Sequence, residues 1–205
     1  MHTYDLGGTW FFSYAKEYSA ENPGAFDREI RVPGYWDDQR PVFDGLDIAV
    51  NPEYEPLTFP MKKNRDACTP YIVGTVFYER TVTLTEDAPR AVLTLCGVWT
   101  EARVWANGLY VGKAFGYSTP HGFSLDGYLR KGKNTIRIAV DNDPHNHLGT
   151  ITRGWKGFTG GLCRTVLLRT TGVCRIKDAA VFSRDADFIT LDALFDGDPT
   201  GAVLT

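Results

Sequence analysis

The sequence predicts an all-β sandwich, and three observations point to it. Apolar side chains recur at every second residue over several short runs. Turns rich in glycine, asparagine and aspartate separate those runs. Few stretches sustain the 3.6-residue apolar period of the long crossover helices that a parallel α/β sheet needs.

The clearest run is 75–85. Val76, Tyr78, Arg80, Val82 and Leu84 fall on one face, and Thr75, Phe77, Glu79, Thr81, Thr83 and Thr85 on the other. Shorter runs follow at 91–96, 101–106, 135–140 and 165–169. Asn107-Gly108 stands between Arg103-Val104-Trp105-Ala106 and Leu109-Tyr110-Val111, and both residues tolerate the positive φ of a tight primed turn, so a hairpin is expected there. Further breaks are expected at Asp126-Gly127, at 131–134 and at 141–144. The stretch 37–70 differs, with Pro41, Pro52, Pro56, Pro60 and Pro70 and no alternation. It reads as a long ordered excursion with room for a short helix or 3₁₀ turn, packed on the sandwich by residues such as Phe43, Leu46 and Ile48. After Thr171-Gly172 a new pattern begins: 173–182 and 188–195 read as strands and 201–205 as the start of another. Two or three strands bury too little to stand alone, so this tail is expected to lean on what precedes it or to continue in further chain.

Length and composition agree. A chain of 205 residues is one domain plus part of another, and the area scaling laws let about 70% of its surface be buried on folding. Hydrophobic residues make up 43% and aromatics 13%, which is globular rather than disordered. The net charge of −3 leaves no basic stripe to neutralise phosphates, which argues against nucleic acid as a partner. No apolar stretch approaches a membrane span and no signal peptide opens the chain, so a soluble, cytoplasmic protein is expected. Cys68, Cys96, Cys163 and Cys174 lack the paired spacing and nearby histidines of a zinc site, and Cys96 reads as a buried free thiol.

Several separated signatures occur in order. Leu6-Gly7-Gly8-Thr9-Trp10 is followed by Val32-Pro33-Gly34-Tyr35-Trp36-Asp37, Tyr78-Glu79-Arg80, Cys96-Gly97-Val98-Trp99-Thr100-Glu101-Ala102 and Val104-Trp105-Ala106-Asn107-Gly108. Gly116-Tyr117-Ser118-Thr119-Pro120-His121-Gly122-Phe123 and Gly160-Gly161-Leu162-Cys163-Arg164-Thr165 complete the set. Over about residues 1–170 this series resembles the N-terminal sugar-binding domain of glycoside hydrolase family 2. The resemblance implies a jelly-roll β-sandwich, galactose-binding-domain-like, over 1–171. It implies that 172–205 begins an immunoglobulin-like domain, followed in complete enzymes by a catalytic (β/α)₈ barrel acting on β-linked sugars. The family's acid/base and nucleophile glutamates belong to that barrel, so no residue here inherits a catalytic role, and no cofactor or metal is implied. Retaining hydrolysis needs two carboxyls about 5 to 5.5 Å apart, whereas the carboxylates of this chain are scattered over turns and strand exteriors. Two departures stand out. Cys163 replaces the usual aromatic before the motif arginine, and Arg153 and Trp155 occupy the neighbourhood where some members carry a sugar-contacting acid, so galactosidase specificity does not follow.

Polar groups and aromatics concentrate between 141 and 158, and sugars require both: directed hydrogen-bond partners for hydroxyls and a flat apolar surface for a ring face. Asp143, His145, His147, Arg153 and Trp155 are the candidate sugar contacts, against the plainer reading of a polar loop with a packing tryptophan. His145 and His147 with Asp141 and Asp143 lack a clear further ligand, so a metal site is set aside. His121 is expected to serve loop structure. Trp10, Trp36 and Trp99 are read as packing residues, while Trp105 shares its parity with Arg103 and opposes Val104 and Ala106, which turns it outward. Arg80, on an apolar face, needs partners for its charge, and Arg80 and Arg164 are read as scaffold arginines. Asn107 and Gly108 are read as turn residues, and 157–161 lacks the ending of a phosphate loop. The functional expectation is a non-catalytic accessory or sugar-binding region of a β-glycosidase. An independent carbohydrate-binding module and a purely structural docking module are the alternatives.

Overall fold

The structure, a computed structural model, describes residues 1–50, 71–117, 119–143, 159–183 and 189–201. Two antiparallel sheets face each other. The larger has six strands in the order β3 (Arg28–Val32), β2 (Gly8–Ala15), β6 (Thr75–Leu84), β11 (Gly132–Asp141), β8 (Glu101–Ala106) and β9 (Leu109–Phe115). The smaller has four, β1 (His2–Asp5), β12 (Val166–Thr171), β7 (Arg90–Leu95) and β10 (His121–Ser124). A 3₁₀ helix (Asp37–Phe43) leads to a two-residue ladder of β4 (Ala49–Val50) with β5 (Ile72–Val73), and β13 (Arg175–Ser183) pairs with β14 (Ile189–Asp196) in a separate hairpin. This is the all-β jelly-roll sandwich expected, with no second sandwich formed among the described residues. The one described helix is far too short to cross a membrane.

Alternation decides which side chains meet between the sheets. On β8, Ala102, Val104 and Ala106 point inward; on β7, Ala91, Leu93 and Leu95; on β11, Ile136 and Ile138. Trp10 and Phe12 of β2 and Tyr78 of β6 join them, all essentially removed from water. Each fully buried large apolar side chain contributes about 1.5–3 kcal/mol relative to exposure, so this layer is the main stabilising term. Asn107 and Gly108 both have positive φ and form the expected turn between β8 and β9. The Asn107 amide locks that turn, with Nδ2 donating to Tyr128 O at 2.8 Å and Oδ1 accepting the Thr135 N–H at 2.9 Å.

Two expectations need correction, and the second face of β6 is unevenly exposed: Thr75 and Phe77 are buried, because the connection 16–27 folds over that outer face. Thr75 Oγ1 accepts the Ala20 N–H at 3.2 Å and directs its own proton at Glu17 O and Asp141 Oδ2. The break expected at 131–134 comes earlier, since β11 already starts at Gly132 and buried Asn134 ties the turn through Arg130. Cys96 is free but half-buried rather than sealed.

Arg80 lies on β6 and reaches toward Trp10 and the 6–7 backbone. Its Nη1 donates to Leu6 O and Gly7 O, both at 2.7 Å, and its guanidinium stands 5.9 Å from the Trp10 ring centre. The Trp10 indole N–H donates to Leu6 O at 2.8 Å, so one carbonyl gathers both groups and fixes the entry into β2. Arg164 is exposed at the guanidinium, and its stem lies against Gly97, where a side chain would crowd it. Beyond β12, Arg90 and Arg175 meet Asp126 and Asp196: Arg90 Nη1 is 2.5 Å from Asp196 and 3.2 Å from Asp126, and Arg175 Nη2 is 2.7 Å from Asp196. This ionic cluster clasps the hairpin to the sandwich.

Replacing Arg80 with methionine keeps most of the stem but removes two charge-assisted hydrogen bonds. Urea denaturation is expected to show a loss of about 2 kcal/mol in unfolding free energy. An unchanged midpoint would mean that Leu6 O and Gly7 O find equivalent partners without it.

Candidate functional site

The register brings the ends of four strands into one row. Asp141 of β11 pairs with Thr75 of β6 and Glu101 of β8, and Glu101 pairs with Phe115 of β9. The chain enters β6 here from 71–74 and leaves β11 here into 142–143. The segment 159–162 joins this end through hydrogen bonds. Trp36 N–H donates to Gly160 O at 2.9 Å and Gly34 N–H to Leu162 O at 2.8 Å, while Trp99 and Gly161 exchange backbone bonds at 3.0 and 3.3 Å.

Trp36 explains the local sequence. Its indole is fully buried and donates to Tyr78 Oη at 2.6 Å, and the same oxygen accepts the Leu162 backbone N–H. Burial holds the Tyr78 phenol well above its ordinary range, so it stays neutral. A methyl group at Gly160 would overlap the Trp36 ring, and one at Gly161, whose φ is +142°, would strike Gly34 O. The Gly160-Gly161 pair is therefore required by how closely this segment passes the tryptophan.

Asp37 follows directly. Its Oδ1 accepts the Ile72 N–H at 3.0 Å, its Oδ2 accepts the Thr159 hydroxyl at 3.1 Å, and Arg40 Nη1 lies 3.6 Å away. One carboxylate thus pins the start of the 3₁₀ helix to 71–74 and to 159. Burial raises its pKa above the ordinary 3.8, outweighing the two hydrogen bonds and Arg40, which favour the ionised form. Asn142 continues the web, donating from Nδ2 to Ile72 O and accepting the Gly74 N–H at Oδ1, each at 3.0 Å. Of the candidate sugar contacts, Asp143 is half-buried here and its N–H donates to Asp141 Oδ1 at 2.8 Å. His145, His147, Arg153 and Trp155 lie outside the described residues.

Asp141 divides its carboxylate, with Oδ1 toward Asp143 and Oδ2 toward the outer face. Its Oδ2 accepts the Ser19 N–H and the Thr75 hydroxyl beneath the 16–27 connection, and its carbonyl accepts from Thr100. Among the described residues no group of three or more His, Cys, Asp or Glu could hold a metal ion. His121 Nε2 lies 2.9 Å from Gly116 O. At the same end Trp99 packs against Tyr117 at 4.7 Å between ring centres, and Cys163 sits within hydrogen-bonding reach of the Tyr35 hydroxyl, with burial raising the thiol. Sequence reasoning had passed over Asp37, Asn142 and Tyr117. Asp37 carried a signal, a carboxylate adjoining a tryptophan assigned to packing; Asn142 and Tyr117 carried none beyond their place near turns. A cleft of about 900 Å³, lined by Thr3, Val92, Arg169, Cys174 and Lys177 among others, lies instead between the outer face of the four-stranded sheet and β13.

The fold is a two-sheet jelly roll whose two long connections are pinned at their roots at one end. More particularly, the chain belongs to glycosyl hydrolases family 2: the model of that family's sugar binding domain matches residues 4–170. Over 152 residues it is 30% identical to a beta-galactosidase of Priestia megaterium, a match that takes in 66% of this chain and 14% of that enzyme. Solved structures of family enzymes share the fold, two of them as follows. The beta-glucuronidase of Faecalibacterium prausnitzii superposes with a TM-score of 0.66 at 21% identity, covering 96% of this chain and 36% of that one. The beta-D-mannosidase of Dictyoglomus thermophilum gives 0.59 at 15%, covering 96% and 26%. The chain thus spans about a seventh of the galactosidase and about a third of the glucuronidase.

The raised Asp37 carboxyl gives a signed prediction. The folded chain holds this proton more tightly than the unfolded chain, so the contribution to stability is full below 3.8 and is lost as pH rises through the raised folded value. Asp37→Asn removes that titration. Between about pH 4 and about pH 7 the parent should lose melting temperature relative to Asp37→Asn. A difference that stays flat across this range would contradict the raised carboxyl.

Proposed function

We propose that this chain is the non-catalytic, sugar-side accessory region of a hydrolase acting on O-glycosidic bonds of β-linked sugars. The observation that carries the reading is the pinned end of the sandwich. Asp37, Asn142 and the Gly160-Gly161 segment fasten the described ends of both long connections, 51–70 and 144–158, to one rim. Asp143, His145, His147, Arg153 and Trp155 are proposed as the groups that the second of these offers to the sugar. Binding energy gathered there orients a sugar for carboxylates that belong to another domain.

Residues 172–205 are proposed as the opening of an immunoglobulin-like domain, with the boundary after Thr171. The hairpin supports this by its two faces. Ile176, Ala179, Val181, Ile189, Leu191, Ala193 and Phe195 fall with Ser183 on one side, and Asp178, Ala180, Phe182, Thr190, Asp192, Leu194 and Asp196 on the other, which keeps two exposed apolar side chains of its own. Ile189 is 76% exposed and Val181 67%, so an apolar sheet face stands without a cover. Further strands of the same domain, and then a (β/α)₈ barrel, are the proposed covering and catalytic partners.

Two measurements test this. The purified chain should show no turnover of a panel of p-nitrophenyl β-glycosides above blank, and turnover that follows the protein through purification would overturn the non-catalytic role. In calorimetry against β-linked oligosaccharides, Trp155→Ala should weaken binding about tenfold without changing thermal unfolding. Binding that is indifferent to both Trp155→Ala and Asp143→Asn would remove the rim from the account.

A further inference from the structure

The cleft of about 900 Å³ beside β13 is built from side chains that neither the core nor the rim uses. Pairing sets Thr3 of β1 beside Arg169 of β12, and Arg169 beside Val92 of β7, so the floor is a row across three strands of the smaller sheet. All three point outward, since Leu168, Thr170, Ala91 and Leu93 next to them in sequence are buried and Tyr4 packs on the core. The opposite wall is the opening of β13. There the pairing with β14 skips Lys177, a bulge that leaves it outside the ladder, and Lys177 lines the cleft with Ile176. The ionic clasp of Arg90, Arg175, Asp126 and Asp196 holds that wall over the floor.

Its charges are of one sign. Three cations, Arg169, Arg175 and Lys177, line the cleft, and among the described residues no carboxylate does. Arg175 is neutralised by Asp196 at 2.7 Å, with Asp126 at 3.5 Å. Arg169 and Lys177 are exposed and have no carboxylate partner among the described residues. Strands β7, β10 and β12 contribute no acidic residue at all. The single acids of β1 and β13 lie outside the lining: Asp5 accepts the Gly7 N–H at 2.8 Å, and Asp178 borders a separate hollow with Leu191 and Leu194. Two positive charges therefore stand uncancelled beside the apolar surface of Val92 and Ile176.

We propose that this cleft binds a small organic phosphomonoester, with its head held by Arg169, Lys177 and Thr3 and an apolar body laid on Val92 and Ile176. Two uncancelled cations call for a dianion. A phosphate monoester carries close to two negative charges at neutral pH and offers three terminal oxygens. The donors match that head: the Arg169 fork, the Thr3 hydroxyl across the ladder from it and the Lys177 ammonium. A single carboxylate is filled by the guanidinium fork alone and leaves Lys177 unanswered. The cleft has the volume of a small-molecule site, about 300–1,000 Å³, rather than the flatness of a macromolecular interface. Its apolar wall fits the body of an ester and finds no use with free phosphate. The proposal stands apart from the rim and does not depend on the sugar-binding reading above.

The test titrates the 205-residue chain with phenyl phosphate up to about 10 mM in a calorimeter, with inorganic phosphate, benzoate and phthalate as comparisons. Phenyl phosphate should saturate, bind severalfold tighter than the other three, and weaken as sodium chloride rises from about 20 to about 200 mM. Arg169→Gln should weaken it about tenfold and Lys177→Gln severalfold, both with unchanged thermal unfolding, because neither side chain holds an ionic partner in the fold. Arg169→Lys should fall between the parent and Arg169→Gln. No saturable binding, or an affinity indifferent to both glutamine variants, would overturn the proposal. Equal affinity for inorganic phosphate would overturn the ester in favour of free phosphate, and tighter binding of phthalate would overturn the phosphate head. Trp155→Ala and Asp143→Asn should leave the affinity unchanged, and a loss there would remove the anion from the cleft and assign it to the rim.

Discussion

The geometry of the rim depends on one dry contact, the Trp36 indole donating to Tyr78 Oη at 2.6 Å in the interior of the sandwich. Both polar atoms are cut off from water, so each must find its partner inside, and an unmet one costs on the order of 1–3 kcal/mol. Satisfying the pair draws in the Leu162 N–H and holds the 159–162 segment against the ring. That proximity excludes side chains at Gly160 and Gly161, places Thr159 at Asp37, and through Asp37 fixes the 3₁₀ helix to Ile72. The geometry of the rim is thus a consequence of core chemistry rather than of the rim's own residues.

How much of this could be read beforehand varied with the type of signal. Where both neighbours of a strand belong to the regular sheet, as for 101–106 and 75–84, two-residue alternation and Asn107-Gly108 placed strands and turn with little error. β2 was harder, because Trp10-Phe11-Phe12 reads as a continuous apolar block although Phe11 faces the other way from its neighbours. β1 and β10 have four residues each, too short for a period to declare itself. Covering by a distant loop was invisible: nothing in Thr75 or Phe77 announces that 16–27 folds over them. At the rim, residue type pointed to Asp143 and its neighbours, but the groups that organise the described part, Asp37 and Asn142, act through backbone amides and carbonyls far away in sequence. Such long-range partners leave no local spacing to detect.

The hairpin after β12 is held differently from everything before it. The sandwich is held by burial, whereas β13 and β14 reach it through Arg90, Asp126, Arg175 and Asp196, whose side chains are 17–28% exposed. Two cations alternating with two anions cancel as a group, so the join carries direction without demanding a large apolar contact. It orients the hairpin without covering its exposed apolar side chains.

The pinning of the long connections at their roots has an evolutionary consequence. The entropy of closing a connection grows only logarithmically with its length, about 0.6 kcal/mol per doubling, once its two ends are held. Here β4 and β5 bring 50 beside 72, and Asp37 with Asn142 binds 71–74 and 159 from beneath. Insertions or deletions between those roots therefore cost the sandwich little, and the loops can change in length and sequence without rebuilding the frame that carries them.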